Sequence, residues 1–287
     1  MPQTLRFAAN LSLLFTEVPL LERPAAAHDC GFDAVELWWP FSKPVPTDGD
    51  LDRLADALDE AGVRLIALNF DGGDMSQGER GLLTAPGMQQ RFKDNVDCVI
   101  SFAQRTGTRV FNALYGNEDA NVDHAQRTGW AIEGLEYAAR AVRRVSGTVV
   151  VETQNAVDSP RYPLVRPEQV RELIASLSAE GQESVGFLAD LYHLAMSGLD
   201  PRQAVADYFP LIRHVQIADA PGRHEPGSGT ISYADVLGDL LRRGYDGWIA
   251  AEYRPAAATR DGLAWLPRLR DEIGSPSRDT ARTHGRL

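Results

Sequence analysis

Short apolar runs alternate with longer segments of helical periodicity along this chain, and the alternation restricts the possible folds more than any other feature. Eight apolar runs have the length of buried strands, at 5–10, 34–37, 64–69, 109–114, 148–152, 185–190, 214–218 and 248–252. Segments between them repeat apolar residues every three or four positions, most clearly at 51–61, 88–106, 130–145, 167–179, 201–207 and 233–243. This pattern is typical of the α/β class and of a (β/α)8 TIM barrel.

The main alternative is a doubly wound sheet, which usually has a glycine-rich phosphate turn after its first strand. Here the first strand runs into "RFAANLSLLFTE", which contains no glycine. The length of 287 residues also suits a barrel, which typically needs ~250. We therefore expect a single TIM-barrel domain over residues 1–273, followed by a disordered polar tail over residues 274–287.

Composition excludes several classes of partner. The net charge of −11 argues against nucleic acid and anionic membranes, because both attract basic surfaces. No apolar run is long enough to span a bilayer, and the first ten residues lack the features of a signal peptide. Two cysteines, Cys30 and Cys98, match no metal-ligand spacing and are interpreted as reduced thiols. We expect a cytoplasmic protein with a small-molecule substrate, and its apolar outer helices would permit a homo-oligomer.

Oxygen-bearing side chains end the last four predicted strands. The fifth strand ends at Glu152, the sixth at Asp190 and the eighth at Glu252, while the seventh offers Gln216 and Asp219. The chemistry of a TIM barrel lies at the carboxyl ends of its strands, where neighbouring side chains converge. Several carboxylates buried together would repel each other unless a cation joined them. The pattern therefore predicts a site for a hard divalent ion, such as Mg²⁺ or Mn²⁺.

A long polar segment, residues 71–87, follows the third predicted strand. On a barrel this position lies over the mouth of the active site, so we interpret the segment as a lid. Its residue Arg80, or Arg223 after the seventh strand, would hold a substrate carboxylate by a two-pronged contact. The alternative for each arginine is a surface ion pair.

Five segments give the chain a family resemblance. They are "RFAANLSLLFTEVPLLER", "GFDAVELWWPF", "DLYHLAMSG", "HVQIADAPGRHEPGSGTISY" and "GYDGWIAAEYRP". Together they resemble the hydroxypyruvate isomerase family, which belongs to the xylose isomerase-like TIM barrels. The likeness extends over about residues 6–265 and is most specific at 214–233.

The resemblance implies a ligand set and an acid–base pair. One divalent metal ion would be held by Glu152, Asp190, Gln216 and Glu252. Glu152 and Glu252 would also be the catalytic residues that remove and return a proton.

Substrate contacts are implied by the same resemblance. They would come from His193, three residues after the aspartate, and from Arg223 and Asp158. The chain departs from the family pattern in "ETQNAVDSPRYPL" after the fifth strand and in "RVFNALYGN" at the fourth. Both segments lie at the mouth of the barrel, so the departures bear on the substrate more than on the fold or the metal.

The implied reaction is the interconversion of hydroxypyruvate and tartronate semialdehyde through an enediolate. The alternatives are an isomerase or epimerase of a related oxo-acid, such as 2-oxo-tetronate, or of a free ketose. A lyase or dehydratase could use the same scaffold, and a metal-bearing binding protein would be the non-enzymatic alternative. A phosphoester-cleaving enzyme is disfavoured, because it would need several histidine ligands.

Overall fold

The computed structural model describes residues 5–274, and within them the chain forms a closed barrel of eight parallel strands. The strands are β1 (Arg6–Asn10), β2 (Ala34–Leu37), β3 (Arg64–Asn69), β4 (Val110–Asn112), β5 (Thr148–Glu152), β6 (Val185–Asp190), β7 (Ile212–Ile217) and β8 (Trp248–Ala251). Each strand pairs with its neighbour in sequence, and β1 pairs with β8 to close the barrel. The predicted (β/α)8 TIM barrel is confirmed.

Ten α-helices accompany the strands in the described part of the chain. They are α1 (Arg23–Asp29), α2 (Asp48–Ala61), α3 (Gln89–Thr106), α4 (His124–Val142), α5 (Pro167–Ala175), α6 (Ala179–Ser184), α7 (Leu191–Met196), α8 (Pro201–Tyr208), α9 (Tyr233–Arg242) and α10 (Trp265–Gly274). The single helix predicted at 167–179 is instead α5 followed by α6. The break falls at Ser178, whose hydroxyl accepts the Gly181 N–H and so starts a new helix. The tail predicted after residue 273 lies almost wholly outside the described residues.

Helices pack on the barrel through one apolar face. In α2, Leu54 and Leu58 lie four residues apart and are both buried. Burying a leucine side chain contributes about 1.5–3 kcal/mol, and this fixes the helix against the strands. Thr47 caps the start of α2 and Gly62 ends it in the left-handed conformation. The chain can therefore reverse into β3 immediately after the helix.

The segment 71–87 packs across the end of β4. Gly81 forms a β-bridge with Tyr115, and Leu82 and Leu83 are buried. A short 3-10 turn, Met75–Gln77, is capped by the Asp74 carboxylate. These contacts hold the segment over the carboxyl ends of the strands, where the sequence predicted a lid.

None of the helices within residues 5–274 combines the length and the apolar character that crossing a membrane requires.

Candidate active site

The four predicted metal ligands lie side by side at the carboxyl end of the barrel. Asp190 is paired in register with Gln216, and they are flanked by β5, which ends at Glu152, and by β8, which Glu252 directly follows. All four side chains are buried, with at most 4 % of any residue exposed. The barrel therefore brings together the oxygen-bearing residues that the strand ends predicted.

Glu36, on β2, orders this cluster, and its role was not recognised from the sequence. Its Oε1 accepts hydrogen bonds from Asn10 Nδ2 at 2.8 Å and from Gln216 Nε2 at 2.7 Å. Its Oε2 lies 2.7 Å from His214 Nε2. Since the Gln216 amide nitrogen donates to Glu36, the amide oxygen is turned the other way. A carboxylate within the apolar run "AVEL" was the signal that could have revealed this residue.

Three oxygens of the predicted ligands have no hydrogen-bond partner within the described residues. They are Asp190 Oδ2, Gln216 Oε1 and Glu252 Oε2, all fully buried. A buried acceptor without a partner costs about 1–3 kcal/mol, so these three oxygens at one end of the barrel need an explanation. A divalent cation bound there would supply a partner, and carboxylate and amide oxygens are the ligands that Mg²⁺ and Mn²⁺ prefer. The residues present thus fit a metal ion.

Electrostatics support the same interpretation. Burial, together with the charge of Asp190, raises the pKa of Glu152 to about 8. Burial also raises the pKa of Asp190, and that of Glu252 well above its usual value, although Arg223 opposes both shifts. Without a cation, these carboxyl groups are held toward their protonated forms. A divalent ion would reverse the effect, because positive charge stabilises the ionised carboxylates.

A cavity of about 500 Å³ opens above the cluster. Its lining includes Glu152, Glu252, His193, Arg223, Asp158 and Arg80, which are the predicted acid–base pair and all four predicted substrate-binding residues. The walls are completed by side chains such as Trp38, Met75, Gln154 and Arg254. The structure therefore gathers every predicted catalytic and substrate residue around one space.

The two glutamates of the pair are held differently. Glu152 Oε2 accepts a hydrogen bond from Asn112 Nδ2 at 2.9 Å, which leaves Oε1 facing His193 Nε2 at 3.5 Å. Glu252 Oε1 accepts from the Trp38 indole at 3.0 Å and from Arg223 Nη2 at 3.1 Å. In each carboxylate one oxygen is fixed and the other faces the cluster or the cavity.

The two candidate arginines have different surroundings. Arg223 lies over the Tyr192 ring, and its Nη2 is 3.8 Å from Asp190 Oδ2 besides the contact with Glu252. Arg80 Nη1 donates only to backbone carbonyls, at 3.0 Å to Met75 and 2.7 Å to Glu79. Within residues 5–274 the Arg80 guanidinium has no carboxylate hydrogen-bond partner, so it is the better placed of the two to take one from a substrate.

The loop after β7 depends on Asp219, which the sequence offered as a ligand alongside Gln216. Its carboxylate accepts backbone N–H groups from Ala220, Gly227 and Ile231 at 2.7–3.1 Å. In the same loop the Arg223 N–H donates to the Asp219 carbonyl at 2.8 Å, and Arg223 lies in the left-handed region, at φ 55°, where a non-glycine residue is strained. Asp219 therefore shapes the loop that presents Arg223, and Gln216 is the residue that faces the cluster.

Glu152, Asp190 and His193 form one group of side chains in the described chain whose ligand atoms are close enough to share a metal ion. His193 Nε2 lies 3.5 Å from Glu152 Oε1 and 3.7 Å from Asp190 Oδ2. Glu252, the remaining predicted carboxylate ligand, lies outside this group, so on distance alone His193 competes with Glu252 for a place beside Glu152 and Asp190.

Comparisons with known proteins agree with this architecture. The sequence profile of the xylose isomerase-like TIM barrel family matches residues 24–269. A "putative hydroxypyruvate isomerase" of Streptomyces coelicolor is 46 % identical over 91 % of this chain and 95 % of its own length. A hydroxypyruvate isomerase of Escherichia coli is 32 % identical over 91 % and 98 %. A 2-oxo-tetronate isomerase of Cupriavidus necator is 34 % identical over 91 % and 97 %.

A solved structure is also similar over most of its length. The crystal structure of a family 2 AP endonuclease from Brucella melitensis superposes with a TM-score of 0.83 at 34 % identity, covering 93 % of this chain and 99 % of that one. The chain therefore belongs to the xylose isomerase-like TIM barrel family. Within it the chain belongs with the hydroxypyruvate isomerases, and it is an isomerase.

Proposed function

We propose that this isomerase interconverts hydroxypyruvate and tartronate semialdehyde (2-hydroxy-3-oxopropanoate) and depends on one divalent metal ion, Mg²⁺ or Mn²⁺. The proposal is carried by the unpartnered buried oxygens of Asp190, Gln216 and Glu252, together with the two glutamates, Glu152 and Glu252, that line one cavity. An oxygen-only cluster selects a hard cation, and a pair of carboxylates suits a reaction that moves a proton between adjacent carbons.

Glu152, Asp190, Gln216 and Glu252 would hold the ion. When bound, it supplies positive charge beside the substrate oxygens that become negative during the reaction. This arrangement uses every predicted ligand and leaves none of their buried oxygens without a partner.

The proton transfer is assigned to Glu152 and Glu252. One carboxylate removes a proton from the hydroxymethyl carbon, which breaks a C–H bond and gives an enediolate. The other glutamate delivers a proton to the former carbonyl carbon, and the proton of the hydroxyl group passes to the former carbonyl oxygen. A carboxylate can accept such a proton and a carboxylic acid can return it, so a pair of glutamates on one cavity suits this transfer.

The substrate carboxylate is assigned to Arg80. Its guanidinium lines the cavity and keeps donors available, whereas Arg223 is already engaged with Glu252 and Asp190. Because charge-assisted hydrogen bonds of this kind contribute about 1.5–3 kcal/mol, Arg80 would distinguish an acid from a neutral sugar. A small polar substrate and two free thiols, Cys30 and Cys98, suit a cytoplasmic enzyme.

A second candidate is supported by the cavity itself. Its volume of about 500 Å³ lies in the range that accommodates drug-sized ligands, which exceeds the need of a three-carbon acid. An acid one carbon longer, such as 2-oxo-tetronate, would fill more of this space. The resemblance to the Cupriavidus enzyme points the same way.

A substrate panel separates these candidates. Chelator-treated protein would be given Mg²⁺ or Mn²⁺ and assayed with hydroxypyruvate, 2-oxo-tetronate and a neutral ketose. We expect metal-dependent turnover with the highest kcat/KM for hydroxypyruvate. A tenfold or larger preference for the four-carbon acid would replace the first assignment with the second, and activity unaffected by chelation would overturn the metal dependence.

Arg80→Ala tests the assignment of the carboxylate. The KM for the acid should rise roughly tenfold or more with a smaller change in kcat, since the contact binds substrate and transition state alike. Arg268→Ala, on the exposed face of α10, is the matched control and should leave KM unchanged. An unaltered KM in Arg80→Ala would contradict the assignment.

A further inference from the structure

Asn155 lies in the loop after β5 and contacts the imidazole of His193 with two donor groups. Its backbone N–H donates to His193 Nδ1 at 3.2 Å, and its side-chain Nδ2 lies 2.7 Å from the same nitrogen. Asn155 is completely buried and His193 is 2 % exposed, so water does not compete for these contacts.

The orientation of the Asn155 amide is determined by its other partners. Its Oδ1 accepts the backbone N–H groups of Val157 at 3.0 Å and Asp158 at 2.9 Å. Its Nδ2 is 3.0 Å from the Asp158 carboxylate, which only accepts. Reversing the amide would place an oxygen against that carboxylate and an NH₂ group against two N–H groups. The nitrogen therefore faces His193 and donates to it.

This arrangement determines which imidazole nitrogen carries hydrogen. A nitrogen that accepts hydrogen bonds from a backbone N–H and an amide N–H has no hydrogen of its own. The proton of the neutral ring must then reside on Nε2. That nitrogen points toward Glu152 and Asp190, and His193 is one of the residues that line the cavity.

We infer that Asn155 is a positioning residue that fixes the Nε2–H tautomer of His193, so that His193 donates a hydrogen bond to a substrate oxygen and is not a metal ligand. A ring nitrogen that bears hydrogen has no lone pair for a metal ion. The fourth ligand is therefore Gln216 Oε1, which Glu36 leaves turned toward the cluster. The inference rests on the proposed function, because it concerns the substrate of the same site.

The hydrogen bond from His193 would act where negative charge develops. During the proton transfer the substrate carbonyl oxygen gains charge, and a donor already oriented toward it stabilises the transition state. His193 keeps its proton throughout, because Asn155 provides no base for Nδ1. Removing a comparable donor from other enzymes lowers kcat by about 10²–10³.

The first test is a nitrogen-15 spectrum of the metal-free wild-type protein with labelled histidine. The His193 signals are assigned by their loss in His193→Gln. We expect a protonated Nε2 and an unprotonated Nδ1, with the same pattern after Mg²⁺ is added. A proton on Nδ1 would overturn the inference, whatever the enzyme's activity.

A matched pair of variants then tests the role of Asn155. Asp158→Asn keeps the donor on Asn155 and should retain the Nε2–H tautomer. Asn155→Asp combined with Asp158→Asn presents a carboxylate to Nδ1 without adding a repelling charge beside it, and should move the proton to Nδ1. Retention of Nε2–H in the double variant would overturn the role of the Asn155 side chain, because a merely structural side chain would not change the tautomer.

Kinetics of the same pair link the tautomer to the reaction. Relative to Asp158→Asn, the double variant should lose at least about tenfold in kcat with a smaller change in KM. Equal kcat values would overturn the donor role of His193. If wild-type protein instead leaves every substrate unchanged, the proposed function fails while the spectra still decide the tautomer.

Discussion

At the scale of single residues, this site depends on which atom of a side chain faces inward. Gln216 can bind a cation only if its amide oxygen faces the cluster. Glu36 favours this orientation because its carboxylate accepts a hydrogen bond from the Gln216 amide nitrogen at 2.7 Å. The Asn10 side-chain nitrogen donates to the same carboxylate, and the Asn10 amide oxygen accepts the Ser12 backbone N–H at 2.9 Å. Residues outside the proposed ligand set, Glu36 and Asn10, would thus decide how a proposed ligand is oriented.

Glu36→Gln should weaken metal binding without unfolding the barrel. The substituted amide offers a donor as well as an acceptor, so Gln216 can turn its oxygen away from the cluster. Loss of such an orienting contact typically lowers metal affinity by about 10–100-fold, which titration calorimetry with Mn²⁺ would measure. Glu172→Gln, on the exposed face of α5, is the control. Equal affinities in the two variants would show that Glu36 does not orient Gln216.

At the scale of elements, the position of Arg80 depends on the next residue, Gly81, whose backbone lies very close to the backbone of Leu114. Gly81 has φ +116°, and a Cβ at this position would overlap the Leu114 carbonyl oxygen. Only glycine permits this approach, which joins the segment 71–87 to the end of β4. The contact that joins the segment 71–87 to β4 therefore also places Arg80 at the cavity.

Gly81→Ala should raise the KM for the acid substrate several-fold, because the segment must move away from β4 and carry Arg80 with it. Gly78→Ala is a matched control in the same segment. It has φ +83°, but a Cβ there would meet no atom within 4 Å, so the substitution costs only about 1–2 kcal/mol of backbone strain. Steady-state measurements of KM for both variants test this prediction. A similar KM in the two would mean that the approach of Gly81 does not position Arg80.

At the scale of the whole molecule, the carboxylates of the barrel centre oppose folding unless they are compensated. Burial raises the pKa of Glu152, Asp190 and Glu252, so ionising them in the folded state is unfavourable. A bound cation offsets this cost in the native protein alone, since the unfolded chain does not hold the ligands together. Metal binding should therefore be visible in the stability of the entire barrel.

Mn²⁺ at one hundred times its dissociation constant should raise the free energy of unfolding by about 2.7 kcal/mol, and the Tm by several degrees. Gln216→Ala should weaken metal affinity, and so reduce this increase, by more than it lowers the stability of the chelated protein. Thermal unfolding with and without chelator would measure both effects. An identical Tm with and without metal in the wild type would contradict a resident metal site.

The fold was predictable because the hydrophobic periodicity and the residues that end helices mark the same elements along the chain. The predicted strands overlap all eight strands of the barrel, and their carboxyl ends located the oxygen cluster. The β5–β6 connection was less predictable, because the break between α5 and α6 depends on a single serine cap. Glu36 and Asn155 were not assigned roles, since their effect lies in hydrogen bonds to His193, His214 and Gln216, which are distant in sequence. The roles of the site residues stay predictions.

The most direct test of the central claim follows hydroxypyruvate by proton NMR in deuterated water with Mg²⁺-loaded protein. We expect metal-dependent deuterium incorporation at the hydroxymethyl carbon and the appearance of tartronate semialdehyde. Glu152→Gln and Glu252→Gln should each slow turnover by at least about 10²-fold while the fold survives. Near-normal exchange in either variant, or no exchange by wild-type protein with any divalent metal, would contradict the proposed proton transfer.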